Sequence, residues 1–238
     1  MSPIDAIKRK LHREIVADPV LHGLVLNLYL NGEEYPHFVD DYFPIAVGDE
    51  CGLGDTMRAH LADEDKHVAL YKKAITKLDQ PVLALPKADI FNEVIRGHTP
   101  VSFAMQPGDG RDARLLKLAH FFAHAHFLEK RVARSLDYHV EACAMSPSPY
   151  PEKAVSAVLQ DEGRHVSYTR QAVLDLLPRS TALDVLATHT RAERRANLDF
   201  SSRQMGQLLR DHSRRFSASG AALFRACAFL LRGGMLYA

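Results

Sequence analysis

The chain has 238 residues, enough for one large domain with a proper core, and 47% of them are hydrophobic. Its net charge of +1 excludes any global electrostatic case for a nucleic acid or a membrane surface as partner. The three cysteines, Cys51, Cys143 and Cys227, are far apart and odd in number; they read as reduced thiols of a cytoplasmic protein, without the cysteine pairing of a zinc site.

Met1 to Asp18 is polar and amphipathic and lacks the apolar run of a signal peptide. Within it, Pro3 to Val16 is a predicted short helix with Ile4, Ile7, Leu11 and Ile15 on one face. Asp18-Pro19 is a cap followed by a residue suited to a first helical turn, so a second helix starts there. It carries Leu21, Leu24, Leu28 and then Glu33, bracketed by Gly32 and Pro36. Pro36 cannot donate to the Gly32 carbonyl, which predicts a kink and leaves Glu34 open as a competitor of Glu33. Gly48 to Gly54 reads as a turn, with Asp55 capping a helix to about Leu78. That helix carries Met57, His60, Leu61, Glu64, His67 and Tyr71 on one stripe.

Asp79 to Arg111 is rich in proline and glycine, and only Ala88 to Arg96 reads as helical. It has the length of a crossover between the second and third long helices of a bundle. Asp112 opens the third, to about Ala144, with Phe122, Ala125, His126, Glu129, Ala133 and Leu136 inward. Ser146 to Pro151 is a proline-stiffened loop. Glu152 to Leu177 is the fourth, with Val155, Val158, Leu159, Glu162, His165, Tyr168 and Thr169 inward. A charged helix from Thr181 to about Phe216 and an apolar one around Ala221 to Leu231 complete an all-α chain. The last segment is interrupted by Arg225 and too short to span a bilayer, so it reads as a core or homodimer helix. No strand pattern and no phosphate-binding glycine loop is present.

Two stretches share one pattern: Asp63-Glu64-Asp65-Lys66-His67 and Asp161-Glu162-Gly163-Arg164-His165. Glu-x-x-His on a helix sends both side chains from one face, where a carboxylate and an imidazole close on one metal ion. Glu33 and Glu129 precede Glu64 and Glu162 by nearly equal spacings. The order Glu, Glu-x-x-His, Glu, Glu-x-x-His is the ligand order of carboxylate-bridged di-metal bundles. Oxygen ligands that bridge, with one nitrogen per ion, suit iron better than an all-oxygen magnesium or calcium cage. On this reading Glu64 and Glu162 bridge, Glu33 and Glu129 are terminal, and His67 and His165 give one nitrogen each. A ligating histidine normally donates its other N–H to a carboxylate. Asp161 is expected on His67 and Asp63 on His165, with Lys66 and Arg164 holding the aspartates.

Asp161-Glu162-Gly163-Arg164-His165 resembles the Asp-Glu-x-Arg-His signature of bacterial multicomponent monooxygenases and soluble acyl-carrier-protein desaturases. The whole set, over about Val20 to Leu177, is similar to the ferritin-like superfamily, which includes ribonucleotide reductase small subunits, aldehyde-deformylating oxygenases, ferritins and rubrerythrins. The resemblance implies one ferritin-like domain over residues 1–238: a four-helix bundle with a long crossover, a short N-terminal helix and two C-terminal helices. It also implies a di-iron core that reacts with dioxygen, with manganese or mixed Mn/Fe as alternatives. Tyr71 follows His67 at the offset where reductase small subunits hold a radical tyrosine; an ordinary buried tyrosine is the alternative. His60, four residues before Glu64, is a candidate seventh ligand by analogy with di-iron N-oxygenases. His126, three before Glu129, is another candidate, against the plainer reading of a hydrogen-bonded core histidine.

Phe122, Ala125 and Ala133 lie along the turns around Glu129 and leave room for an organic substrate. The expected function is a di-iron oxygenase or oxidase that hydroxylates or desaturates a small molecule, fed by an external electron donor. The alternatives are a ferroxidase or peroxide scavenger, a tRNA-modifying di-iron hydroxylase, and a metal-free helical scaffold. Arg191, Arg194, Arg195, Arg203, Arg210, Arg214 and Arg215 would meet tRNA phosphates or an acidic carrier protein, although Glu193, Asp199 and Asp211 dilute that patch.

Overall fold

The structure is a computed structural model, and it describes residues 3–39, 42–144 and 149–235. These residues form nine α-helices, three short 3-10 turns and no strand: α1 Pro3–Ala17, α2 Pro19–Glu34, α3 Ile45–Glu50, α4 Gly54–Lys77, α5 Phe91–His98, α6 Arg111–Cys143, α7 Pro149–Leu176, α8 Arg179–His212 and α9 Ala218–Met235. Among the described residues no helix is long and apolar enough to cross a membrane. The side chain of Ile4 and residues 146–148 of the expected proline-stiffened loop lie outside the description; Pro149 to Pro151 belong to the first turn of α7.

Local chemistry accounts for several helix ends. Asp18 caps α2, its carboxylate accepting from the Val20 and Leu21 amides at 2.9 and 3.1 Å. The expected kink at Pro36 is instead a stop: α2 ends at Glu34 and a 3-10 turn, Tyr35–Phe38, follows. The Gly32 carbonyl that Pro36 cannot serve accepts from the Tyr35 N–H and from the Asn92 amide at 3.4 Å. Asp55 is not a cap. α4 begins at Gly54; α3 takes up Gly48 to Glu50 of the expected turn and brings the Asp49 carboxylate to Gly54. A Cβ on Gly54 would lie 1.8 Å from Asp49 Oδ1, so any larger residue there must displace the Asp49 carboxylate. Asp55 joins Asp49 in holding Arg58, at 2.8 and 2.7 Å.

The crossover between α4 and α6 runs along α2 and is fixed there by two asparagines one turn apart. Asn27 accepts from the Leu83 amide at 2.7 Å and donates to the Pro81 carbonyl at 3.0 Å. Asn31 accepts from the Leu85 amide and donates to the Leu83 carbonyl, both at 2.8 Å. An extended segment without a neighbouring strand thereby has its backbone groups satisfied by side chains.

The core is layered along α4, α6 and α7. One apolar layer holds Met57, Leu118, Phe121, Phe122, Ala172 and Val173, with Val185 and Leu186 of α8. A second holds Leu26 and Leu30 of α2, Tyr71, Ala74 and Ile75 of α4, Leu136 of α6, and Val155 and Val158 of α7. Between them, along α4, α6 and α7, fall Glu64 and His67, Glu129, and Glu162 and His165. α1, α2, α8 and α9 form a further apolar contact around Ile15, Leu21, Leu209 and Phe224. Phe229 and Leu230 of α9 remain exposed. The arginines of α8 are partly engaged: Arg203 pairs with Asp199 at 2.9 Å and Arg215, just beyond the helix, with Asp18 at 3.0 Å.

Candidate metal centre

Glu33, Glu64, His67, Glu129, Glu162 and His165 are all buried, on α2, α4, α6 and α7. They fall into two groups whose ligand atoms lie within 4.8 Å of one another. One is His60, Glu64, Glu129 and His165; the other is Glu33, His67 and Glu162. Each group mixes the two halves of the sequence repeat. Glu33 is the inward residue of the pair left open by the sequence, whereas Glu34 is held by Lys72 at 2.5 Å.

The imidazoles are oriented from outside. His67 Nε2 lies 3.2 Å from Asp161 Oδ2, and its Nδ1 faces Glu33 Oε2 at 3.4 Å and Glu162 Oε1 at 3.9 Å. His165 Nε2 lies 3.3 Å from Asp63 Oδ2, and its Nδ1 faces Glu162 Oε2 at 3.7 Å. Each Nε2–H therefore donates to the aspartate of the other motif, and each Nδ1 lone pair points at the carboxylates. Lys66 and Arg164 bridge the two aspartates: Lys66 reaches Asp63 at 3.1 Å and also Asp161, and Arg164 reaches Asp63 at 3.2 Å and also Asp161. Burial acts to raise the Asp161 carboxyl, but hydrogen bonds from Lys66, Arg164 and His67 hold it well below the usual range.

The interior of the cluster is crowded with carboxyls. Both oxygens of Glu162 are buried without a hydrogen-bond partner, as is Nδ1 of His165. Burial pushes Glu162 well above the ordinary carboxylate range, and neighbouring Glu129, Glu33 and Glu64 add to it. Burial likewise raises Glu33 to about 7, and burial together with the charge of Glu33 raises Glu64 to about 8. Glu129 goes the other way, to about 2, because bonding to His60 and the charges of His60 and His165 outweigh its burial. Protons and a charged imidazole thus occupy the role that cations fill at such a site. Two atoms bound to one ion at about 2.1 Å stand about 3–4 Å apart, the range of the 3.4, 3.7 and 3.9 Å separations above. The residues fit a metal.

His60 belongs to this cluster. Its Nε2 is 2.8 Å from Glu64 Oε1 and 3.6 Å from Glu129 Oε1, and its ring stacks on His165 at 3.7 Å. Its Nδ1 meets the Tyr168 hydroxyl at 2.5 Å, a partner that sequence reasoning placed inward without a role. The helical spacing of Tyr168 from Glu162 and His165 was the available signal. His126 is not brought to the ligands: its Nδ1–H donates to the Val166 carbonyl at 3.0 Å. Tyr71 is fully buried beside Tyr29, ring centroids 5.7 Å apart, and its hydroxyl has no partner. Glu33 and Glu162 are among the charges that raise it far above an ordinary phenol, after burial itself.

The expected substrate-pocket residues line neither the cavity beside Tyr42 nor the pocket beside Thr99. Phe122 packs in the core at 6.0 Å from Tyr168, Ala125 is buried and Ala133 is half-buried. A cavity of ≈ 30 Å³ lies instead beside Val39, Tyr42, Phe103 and Phe121. Phe43, in contact with Phe121, separates it from His60 at 5.0 Å. Its size admits a water- or dioxygen-sized molecule.

Fold and site define an all-helical protein with buried histidine–glutamate clusters of metal-binding type. No known family model, curated protein or solved structure matches the chain. The particular activity is therefore a matter of the site's own chemistry.

Proposed function

We propose that the chain is a ferritin-like di-iron protein that activates dioxygen to oxidise a small organic substrate. One observation carries this reading: two buried ligand groups, each drawn from both halves of the repeat, meet at Glu162. The oxygens of Glu162 face different imidazoles, Oε1 toward His67 and Oε2 toward His165. That is the disposition of a bridging carboxylate. Two Fe(II) ions held there would supply electrons to dioxygen, with an external donor restoring them; manganese or a mixed pair would bind the same donor set.

The chain's own residues do the rest. Asp161 and Asp63 fix the tautomers of His67 and His165 so that their Nδ1 lone pairs face inward. Tyr168 does the same for His60, accepting from its Nδ1–H and leaving Nε2 toward Glu64 and Glu129. The apolar layers on either side keep water from the carboxylates.

A second reading is favoured by the cavity. The ≈ 30 Å³ cavity that Phe43 separates from His60 is too small for an organic substrate, and the ≈ 270 Å³ pocket along Arg96, Thr99, Pro100 and Phe103 is lined by none of the candidate ligands. This supports a ferroxidase or peroxide scavenger, with iron itself oxidised. The two readings are separated by adding Fe(II) in excess under air. An oxygenase should oxidise about two irons per chain and then stop for lack of a donor. A ferroxidase should continue through many equivalents. No oxidation above that of free iron would remove both.

A further inference from the structure

A second group of metal-ligating side chains lies one apolar layer away from the carboxylates. His139 and Cys143 are four residues apart near the end of α6, so they share a face, and His22 comes from the start of α2. One ligand atom of each lies within 4.8 Å of the other two, and all three residues are buried. Leu26 and Leu30 of α2 and Leu136 of α6 separate this group from Glu33 and Glu129 along the same two helices.

Its hydrogen bonding is incomplete. His22 Nε2 and His139 Nε2 face each other at 2.8 Å, where a single proton is shared between two rings. His139 Nδ1 lies 3.3 Å from the Tyr29 hydroxyl, which in turn lies 3.3 Å from Ser135 Oγ. If His139 donates to Tyr29, its Nε2 is a bare lone pair. Either placement of the protons leaves His22 Nδ1 without a partner, and His22 is fully buried. His12 of α1, whose ring is 5.6 Å from His139, also has an Nδ1 without a partner.

We propose that His22, His139 and Cys143 form a separate binding site for one soft d10 cation, Zn(II) or Cu(I). The donor set is two imidazole nitrogens and one sulfur with no carboxylate, which selects against the hard ions suited to the glutamate cluster. The Tyr29 hydroxyl is the outer partner that turns His139 Nε2 inward, as Asp161 does for His67. Burial holds His22 down at about 4, so the imidazole is neutral and its lone pair available at neutral pH. Burial pushes the Cys143 thiol up to about 12, so ionisation there needs a cation in contact. Binding therefore releases the thiol proton, and no oxidation or reduction is involved.

The test uses the full chain, reduced and freed of metal, without air. Co(II), as a stand-in for Zn(II), is added in one arm, and Cu(I) is offered against a chromogenic Cu(I) chelator in the other. The expected result is a thiolate-to-cobalt charge-transfer band that saturates at one equivalent, or one Cu(I) retained per chain; which arm responds identifies the ion. The signal should vanish in Cys143→Ser and in His139→Gln. It should persist in Cys51→Ser, Cys227→Ser and Glu162→Ala, which separates it from the carboxylate centre. Tyr29→Phe should weaken binding by roughly ten- to a hundredfold, the scale for an outer partner. No thiolate band and no retained Cu(I) in the native chain would overturn the proposal. So would a signal that survives Cys143→Ser.

Discussion

The two halves of the ligand repeat share one ligand pattern and differ as environments. Glu64 and His67 on α4 correspond to Glu162 and His165 on α7, and Glu33 to Glu129. Yet four residues before Glu64 stands His60, within the cluster, and four before Glu162 stands Val158, in an apolar layer. Four after His67 is Tyr71, with an unpartnered hydroxyl; four after His165 is Thr169, whose hydroxyl donates to the His165 carbonyl at 2.6 Å. One group thus offers four candidate ligands and the other three. A duplicated motif sets the two positions, and the residues one turn away make them unequal.

The comparison breaks most visibly at His60. In His60→Leu the two groups become alike, with three candidate ligands each, so the ion held by Glu64, Glu129 and His165 should bind more weakly while its neighbour is unaffected. Two irons per chain should still bind at saturation, with one of the two affinities lowered. Two ions held at native affinity would make His60 a core residue only.

Asp161→Asn tests the outer partners. The fold should survive, while metal affinity drops by roughly ten- to a hundredfold, because His67 loses the carboxylate that fixes its tautomer. Asp63→Asn should act in the same sense through His165. Unchanged affinity in both would reduce Asp63, Asp161, Lys66 and Arg164 to a surface charge network.

Much of this site was legible in the sequence, and the reasons for the rest are physical. Glu-x-x-His on a helix fixes which side chains share a face, so the inward set could be read from spacing alone. Spacing does not fix how a helix is rotated about its axis relative to its neighbours. His60 and His126 therefore looked equivalent, but α6 turns His126 to the Val166 carbonyl. Glu33 could not be told from Glu34 until the stop at Pro36 set the end of α2. The crossed grouping, with Glu64 beside His165 and Glu162 beside His67, is a property of tertiary packing. The group of His22, His139 and Cys143 joins residues more than a hundred positions apart, and only the His139–Cys143 pair had a local signal.

Buried histidines outside the carboxylate centre sharpen the contrast with its charged His60. Burial lowers His124 to about 3 and His189 to about 2. Unfolded, both take up a proton near 6.5, so the unfolded chain binds more protons below that pH. Their stabilising contribution is complete above about 6.5 and is lost as pH falls toward 3, at about 1.4 kcal/mol per pH unit for each. Thermal melts of metal-free protein should show this slope between pH 6.5 and 4, and His124→Phe should reduce it by about one proton. An unchanged slope would mean that His124 is protonated in the folded state.

The smallest effect is expected at Tyr71. Its buried hydroxyl has no partner, so Tyr71→Phe should leave stability unchanged or raise it by up to about 1 kcal/mol. A loss above about 2 kcal/mol in denaturant unfolding would show that the hydroxyl makes a hydrogen bond.

The central claim is that two ions bind across the halves and meet at Glu162. The most direct measurement is the number of irons retained per chain after anaerobic loading and removal of free metal, with native protein and Glu162→Ala side by side. The account predicts two in the native chain and one or none in the variant, with unchanged helix content. Fewer than two in the native chain, or two in both, would contradict it.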